Sequence, residues 1–293
     1  MKLGFFERFV SFLRRKRVTP GRVLMWLVFM ALAATWVLPF VWMVSTSFKP
    51  SGQVMTREVQ FIPREWTLAN YERVFERAMV GRWLLNSVVV TLSVTAGNVI
   101  LGAMAGYALA RLRFPGRNAI WFIILGSLMI PAEMIMVPRF VALLSLDLTD
   151  TYPGLILPSV ASVFAVYIFR QFFLELPTDL EDAALVDGAN RLQIFWRVGL
   201  PLAREAIVAT SVLNFTGNWN MFVWPLLITF DEKMKTLPVG MATFAPAALG
   251  RTQIESFAPA MAAMTILGIP TLLVFLFLQR YFMQGITTTG SKG

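Results

Sequence analysis

"LEDAALVDGANRLQIFWRVGLP", Leu180 to Pro201, is a short polar stretch set between two long apolar runs. Thr151 to Phe169 before it and Ala206 to Phe230 after it hold no Lys, Arg, Asp or Glu, whereas the stretch itself carries Glu181, Asp182, Asp187, Arg191 and Arg197. Thr178 follows Pro177 and has Glu181 three residues later, a capping-box pattern that predicts a helix start. Gly188 fits a left-handed C-cap. Leu192, Phe195 and Trp196 with Gly199 then line one face of a second short helix before Leu200 and Pro201. Ala183 and Ala184 make a small, flat patch flanked by Glu181, Asp182 and Asp187. Small residues permit close backbone approach, and an acidic rim pairs with Arg or Lys on a partner. The competing reading is a helical hairpin that packs on its own bundle.

The surrounding composition is that of a membrane chain. Of 293 residues, 57% are hydrophobic and 15% charged, against about 25% charged in a typical soluble domain, and the mean hydropathy is +0.64. Cysteine and histidine are both absent, which excludes disulfides, thiol nucleophiles, His-based zinc sites and His general bases. The +9 net charge invites a nucleic-acid reading, but Arg14, Arg15, Lys16, Arg17 and Arg22 crowd immediately before an apolar run. That placement is the signature of a cytoplasmic membrane flank rather than an RNA- or DNA-binding arm.

A spanning helix needs about 20 mostly apolar residues. Val23 to Phe48, Trp83 to Ala110, Thr151 to Phe169, Ala206 to Phe230 and Ser256 to Gln279 are free of Lys, Arg, Asp and Glu. Asn118 to about Val141 is interrupted by Pro131, Glu133, Pro138 and Arg139, and reads as a span with an irregular outer end. The first run continues past the about 7 to 15 apolar residues of a signal h-region and reads as an uncleaved signal-anchor. Six spans put both termini on one side. Lys and Arg gather in the N-tail, at Arg111, Arg113 and Arg117, and at Arg170, Arg191, Arg197 and Arg204, so that side is the cytoplasm.

The expected organisation is a basic cytoplasmic tail at 1–22, a first span at 23–48, an outer loop at 49–82, a core of the remaining spans at 83–280 with its polar loop at about 177–201, and a cytoplasmic tail at 281–293. Within the outer loop, "TLANYERVFERAMVGRW" (Thr67 to Trp83) places Leu68, Tyr71, Phe75, Met79 and Trp83 near one helical face. It reads as a helix along the outer membrane surface or as a packed connector. Glu133, just after Pro131, sits at the outer end of the third span, an interfacial position rather than a coupling-ion site. Span five carries polar and aromatic groups that could line a path for a polar solute: Asn214, Thr216, Asn218, Trp219, Asn220 and Trp224. Helix–helix hydrogen bonding and interfacial anchoring explain the same residues.

The spacing of Asp182, Ala183 and Ala184, then three residues, Gly188, then nine, then Val198 to Pro201 resembles the "EAA" loop of binding-protein-dependent ABC importer permeases. "LLNSVVVT" (Leu84 to Thr91), "GYALARLRFPGR" (Gly106 to Arg117), "MIPAEMIMVPRF" (Met129 to Phe140), "LILPSV" (Leu155 to Val160), "GNWNMFVWPLLIT" (Gly217 to Thr229), "TLPVGM" (Thr236 to Met241) and "LQRYFMQGITTTGSKG" (Leu278 to Gly293) resemble the carbohydrate-uptake branch, similar to the smaller permease of maltose-type systems. One departure is that Asp182 stands where the family usually has Glu.

The resemblance implies an all-α membrane protein with six transmembrane helices and the type I importer permease fold. It implies that Glu181, Asp182, Ala183, Ala184, Asp187 and Gly188 form a coupling helix seated on a cytoplasmic ATPase. The expected partners are a second permease subunit, two ATP-binding cassette subunits, an extracytoplasmic solute-binding protein and a carbohydrate substrate. Maltose-like glucans, uronate oligomers such as alginate fragments, and glycerol phosphate are carried by similar subunits. No G-x-x-x-x-G-K-[ST] phosphate loop occurs, so the chain is expected to bind no cofactor, with ATP and Mg held by the partner ATPase. In maltose-type relatives the loop corresponding to Asp231 to Ala258 reaches the binding protein, which makes Pro246, Leu249, Gly250, Arg251, Thr252 and Gln253 candidate contacts. A proton- or sodium-driven secondary transporter is the rival class, and a non-transporting membrane scaffold a third.

Overall fold

The computed structural model describes residues 20–54, 60–245 and 253–289. Its elements in chain order are α1 (Pro20–Ser47), α2 (Ala69–Arg77), α3 (Val80–Arg111), α4 (Arg117–Ser127), α5 (Met136–Ser145), α6 (Tyr152–Ile156) and α7 (Val163–Glu175), followed by α8 (Asp179–Val186), α9 (Arg191–Ile194), α10 (Leu200–Leu202), α11 (Arg204–Trp219), α12 (Val223–Ile228), α13 (Leu237–Ala242) and α14 (Gln253–Thr289). Among the described residues there is no strand. Apolar segments in lipid must satisfy their backbone groups internally, which a helix does within itself.

Val23–Ser47 of α1, the whole of α3 and Phe257–Leu276 of α14 are each long and apolar enough to cross a membrane alone. Three further apolar segments are bent helix pairs: α4 with Ala132–Ser145 (93°), Tyr152–Ser159 with α7 (44°), and Arg191–Leu202 with α11 (74°). The first of these bends falls at Pro131, where the sequence predicts an irregular end. The expected continuous run from Ala206 to Phe230 is instead broken. α11 stops at Trp219, the Asn220 amide donates to the Thr216 carbonyl (2.8 Å), and α12 begins afresh at Val223 with Pro225 in its first turn, where its missing N–H costs little.

α3 is the spine. Its start joins a cluster of Val74, Val80, Trp83, Trp219, Leu237, Met241, Phe244, Ala262 and Ala263, its middle joins Leu143, Leu155, Trp224 and Ile228 through Val90 and Val94, and its end enters a third cluster through Ala103 and Tyr107. It packs most extensively against α7, and the reason is Gly102 and Gly106. A Cβ on Gly102 would lie 2.8 Å from the Ala165 Cβ, and one on Gly106 would lie 2.7 Å from the Phe169 Cβ and 2.8 Å from the Arg170 backbone nitrogen. This is a small-xxx-small seam, which lets two backbones approach closely where lipid offers no hydrophobic drive.

Buried polar groups on α3 tie down the connections at its start. The fully buried Asn86 amide donates to the carbonyls of Lys233 and Lys235 (both 2.8 Å) and accepts from the Tyr152 hydroxyl (2.7 Å). Trp83 Nε1 donates to the Glu232 carbonyl (2.7 Å). α2 packs inward through Asn70 and Val74, with Tyr71 of the predicted face beside them against the first cluster and Phe48. Asn70 Nδ2 donates to the Ser47 and Lys49 carbonyls (both 2.8 Å), while Leu68, Phe75 and Met79 stay exposed. Trp83 belongs to α3, because the chain turns extended at Ala78.

Candidate functional site

The polar stretch folds into two short helices joined at a glycine. α8 carries Asp179, Glu181 and Asp182 in its first turn, where carboxylates complement the helix dipole. It ends in a Schellman arrangement: the Ala189 N–H donates to the Ala184 carbonyl and the Gly188 N–H to the Leu185 carbonyl, both at 3.0 Å. Gly188 has φ +82°, as the glycine reading of the sequence requires. A Cβ there would meet nothing within 4 Å, so conformation rather than space selects the residue.

The predicted capping box at Thr178 does not form. Thr178 is already helical and makes no side-chain cap. The box lies one helix later, where Asn190 Oδ1 accepts from the Gln193 N–H and Gln193 Oε1 accepts from the Asn190 N–H (both 2.8 Å), starting α9. Glu181 is withdrawn from capping by stronger partners. Its carboxylate lies 3.2 Å from Arg111 Nε, with side chains only 10% and 9% exposed, and 3.7 Å from the half-exposed Arg191. The Tyr107 hydroxyl donates to it at 3.4 Å. Arg111 also donates to the Leu176 carbonyl at the end of α7. The attraction of a buried guanidinium at ion-pair distance, with a second beside it, outweighs a single exposed cap contact.

This ionic clasp rests on an aromatic floor. Tyr107 meets Phe173 edge to face (5.2 Å) and Phe195 at a tilt (5.3 Å). Phe169, Ala203 and Ala206 complete the cluster. The helix after Gly188 therefore buries Phe195 and Gly199 of the predicted face together with Ile194, while Leu192 and Trp196 are exposed. The π-helical turn Phe195–Gly199 shifts the register and turns the chain into α10. Tyr107 was not among the sequence candidates. Its signal was the Gly102 and Gly106 pair, which marks the face of α3 that must pack closely.

The remaining residues of the motif point outward. Asp182, Ala183, Asp187 and Gly188 are exposed, Ala184 is half-buried, and Val186 is 88% exposed. Glu181 alone of the six faces inward. The geometry thus presents a small-residue, acidic helix to solvent while fastening it to the ends of α3 and α7 from behind.

The candidates on α11 divide. Asn214 Oδ1 accepts from Asn98 Nδ2 (2.9 Å) and its own amide donates to the Thr210 carbonyl (2.9 Å). Trp219 is 2% exposed in the first core cluster, stacked on Phe215 (5.8 Å), so packing accounts for it. Asn218 is half-buried and Asn220 exposed. Trp224 is buried, donates to the Gly154 carbonyl (3.3 Å) and lies under the Arg139 guanidinium (5.3 Å). Glu133 is exposed in the turn Ala132–Ile135. Pro246, Leu249, Gly250, Arg251 and Thr252 lie outside the described residues, as does the Gln253 side chain, and so do residues 1–19 and 290–293 of the tails.

The model of the family "Binding-protein-dependent transport system inner membrane component" matches residues 98–288. The arabinooligosaccharides transport system permease protein AraQ of Halalkalibacterium halodurans is 35% identical over 285 residues, 95% of this chain and 100% of that one. The diacetylchitobiose uptake system permease protein NgcG of Streptomyces coelicolor is 35% identical over 246 residues, 83% and 80% of the two chains. A solved bacterial ABC transporter involved in the import of the acidic polysaccharide alginate superposes with a TM-score of 0.79 at 24% identity, over 91% of this chain and 98% of that one. That likeness speaks for the fold. With most of the chain matched by the family model and nearly all of it aligned to a permease relative, the protein belongs to the binding-protein-dependent transport system inner membrane components, the permeases of ABC importers.

Proposed function

We propose that this chain is one permease subunit of an ATP-driven importer that moves a carbohydrate, an oligosaccharide, into the cytoplasm. It pairs with a second permease, two ATP-binding cassette subunits and an extracytoplasmic binding protein. In this reading the three bent pairs complete six spans, both termini are cytoplasmic, and ATP and Mg are bound by the cassette subunits alone. The named relatives carry arabinooligosaccharides and diacetylchitobiose, which supports the substrate class.

The observation that carries the reading is the split of α8 into an inner and an outer side. Asp182, Ala183, Val186 and Asp187 are free for a partner's cleft, while Glu181 is fastened to Arg111 at the end of the longest spanning helix described as such, α3. Nucleotide-driven movement of a partner that grips the outer side therefore reaches the spans. Such coupling is a difference in partner contacts between two arrangements of the bundle, one open to each side.

The test is uptake by the complete complex in vesicles, with ATP inside and the cognate binding protein outside, for arabinooligosaccharides, chitobiose, alginate fragments and sn-glycerol 3-phosphate in turn. ATP-dependent accumulation of an oligosaccharide is expected. A Gly188→Trp subunit inserts in the membrane and assembles but does not transport; ATP-driven uptake at the normal rate by that variant overturns the coupling assignment. Uptake that follows an ion gradient and ignores ATP overturns the reading as a whole.

A further inference from the structure

We propose that the arginines at the junction of α3 and α4 form a binding site for the headgroup of an anionic phospholipid. The proposal rests on the reading above only in placing this junction at the cytoplasmic membrane surface.

The junction is a groove of about 770 Å³ walled by Arg111, Arg113, Phe114, Arg117, Glu181 and Arg191, among others. Its charges do not balance. Glu181 is spent on Arg111 and Arg191, which leaves Asp182 as the other carboxylate on the lining. Arg113 and Arg117 have no carboxylate within ion-pair distance among the described residues, and Arg117 merely donates to the Leu112 carbonyl (3.2 Å). Arg170 adds a third cation: its guanidinium lies over the Trp121 ring (4.1 Å), and its buried Nε has no acceptor among the described residues. Arg117 and Trp121 are i and i+4 on α4 and share a face, so Arg170 and Arg117 lie on one side of that helix.

The setting selects a lipid rather than a dissolved anion. Ile120, three residues on from Arg117 and on its side of α4, is exposed, and Phe122 and Ile123, about 70% exposed, carry the apolar surface on round the helix, a surface suited to acyl chains. A phosphodiester held by Arg113 and Arg117 would leave its tails along that face. Basic pockets on the cytoplasmic side of spanning helices take anionic headgroups in this way, and arginine matches phosphate with paired N–H donors.

The experiment uses the purified complex. Native mass spectrometry counts phosphatidylglycerol retained after exchange against phosphatidylcholine, for wild type, Arg113→Gln and Arg113→Gln/Arg117→Gln. Retention should weaken about 5-fold for each arginine removed and about 30-fold for the pair, with Arg113→Lys falling between Arg113→Gln and wild type because it keeps the charge but not the paired donors. The exposed Arg113 single variant covers the case in which the double variant does not assemble. Retention equal to wild type in the Gln variants overturns the proposal. So does displacement of the lipid by inorganic phosphate alone, which would make the site one for a free anion. Lipid held by the permease pair but lost on adding the ATPase overturns it too, in favour of a protein contact. Failure of the transport reading shows separately, as absence of ATP-dependent uptake whatever lipid is bound.

Discussion

Replacing Glu181 by glutamine keeps the side chain's shape and removes its charge. At 3.2 Å from Arg111, with an effective dielectric of about 20, Coulomb's law gives about 5 kcal/mol. Removing one partner of a buried pair costs about 3–5 kcal/mol because the other charge is left behind. Arg111 keeps its hydrogen bond to the Leu176 carbonyl, so the loss belongs at the lower figure, about 3 kcal/mol. Arg191 adds little, being half-exposed. The loss falls on the attachment of α8, not on the bundle. Hydrogen exchange of the α8 amides should therefore quicken about 100-fold, while that of α3 stays as it was. In the reconstituted complex the variant should hydrolyse ATP with fewer substrate molecules moved per ATP. Unchanged exchange in α8, or an equal effect from Asp182→Asn on the outer side, would refute the idea that an internal clasp holds this helix.

Gly106→Ala should lower the complex's thermal midpoint, because overpacking by a methyl group costs about 1–3 kcal/mol where the new Cβ meets Phe169 and the Arg170 backbone. Gly126→Ala, with nothing within 4 Å, should instead be neutral or stabilising by up to about 1 kcal/mol, measured the same way. Asn86→Ala strands the Lys233 and Lys235 carbonyls, at about 1–3 kcal/mol per unsatisfied group, and should raise protease sensitivity between α12 and α13. Gly188→Ala should cost about 1–2 kcal/mol through its left-handed φ, whereas Gly188→Asn, better suited to that conformation, should cost less; local exchange at the α8 C-terminus reads the difference.

Much of this protein was legible in its chain. Charge-free apolar runs marked α1, α3 and α14, because crossing hydrocarbon is a matter of length and composition that neighbours do not alter. Gly188 announced its turn, since a left-handed residue is a local demand. The interrupted stretch around Pro131 was read as irregular and bends there by 93°.

What the sequence left open was which side of each short helix turns inward. Thr178 and Glu181 spell a capping box, yet Glu181 goes to Arg111 and to Tyr107, 74 positions away in the chain, and the box forms at Asn190 and Gln193. Trp219 and Asn214 suit a path by residue type, and the fold supplies partners the sequence does not mark, the Leu267 carbonyl for Trp219 and the Asn98 amide for Asn214. Local rules rank a residue's options against the nearest backbone. The tertiary structure decides among them because a buried guanidinium, or a helix brought close by Gly102 and Gly106, offers a larger free energy than any local partner, and the chain carries no marker of where that neighbour will be.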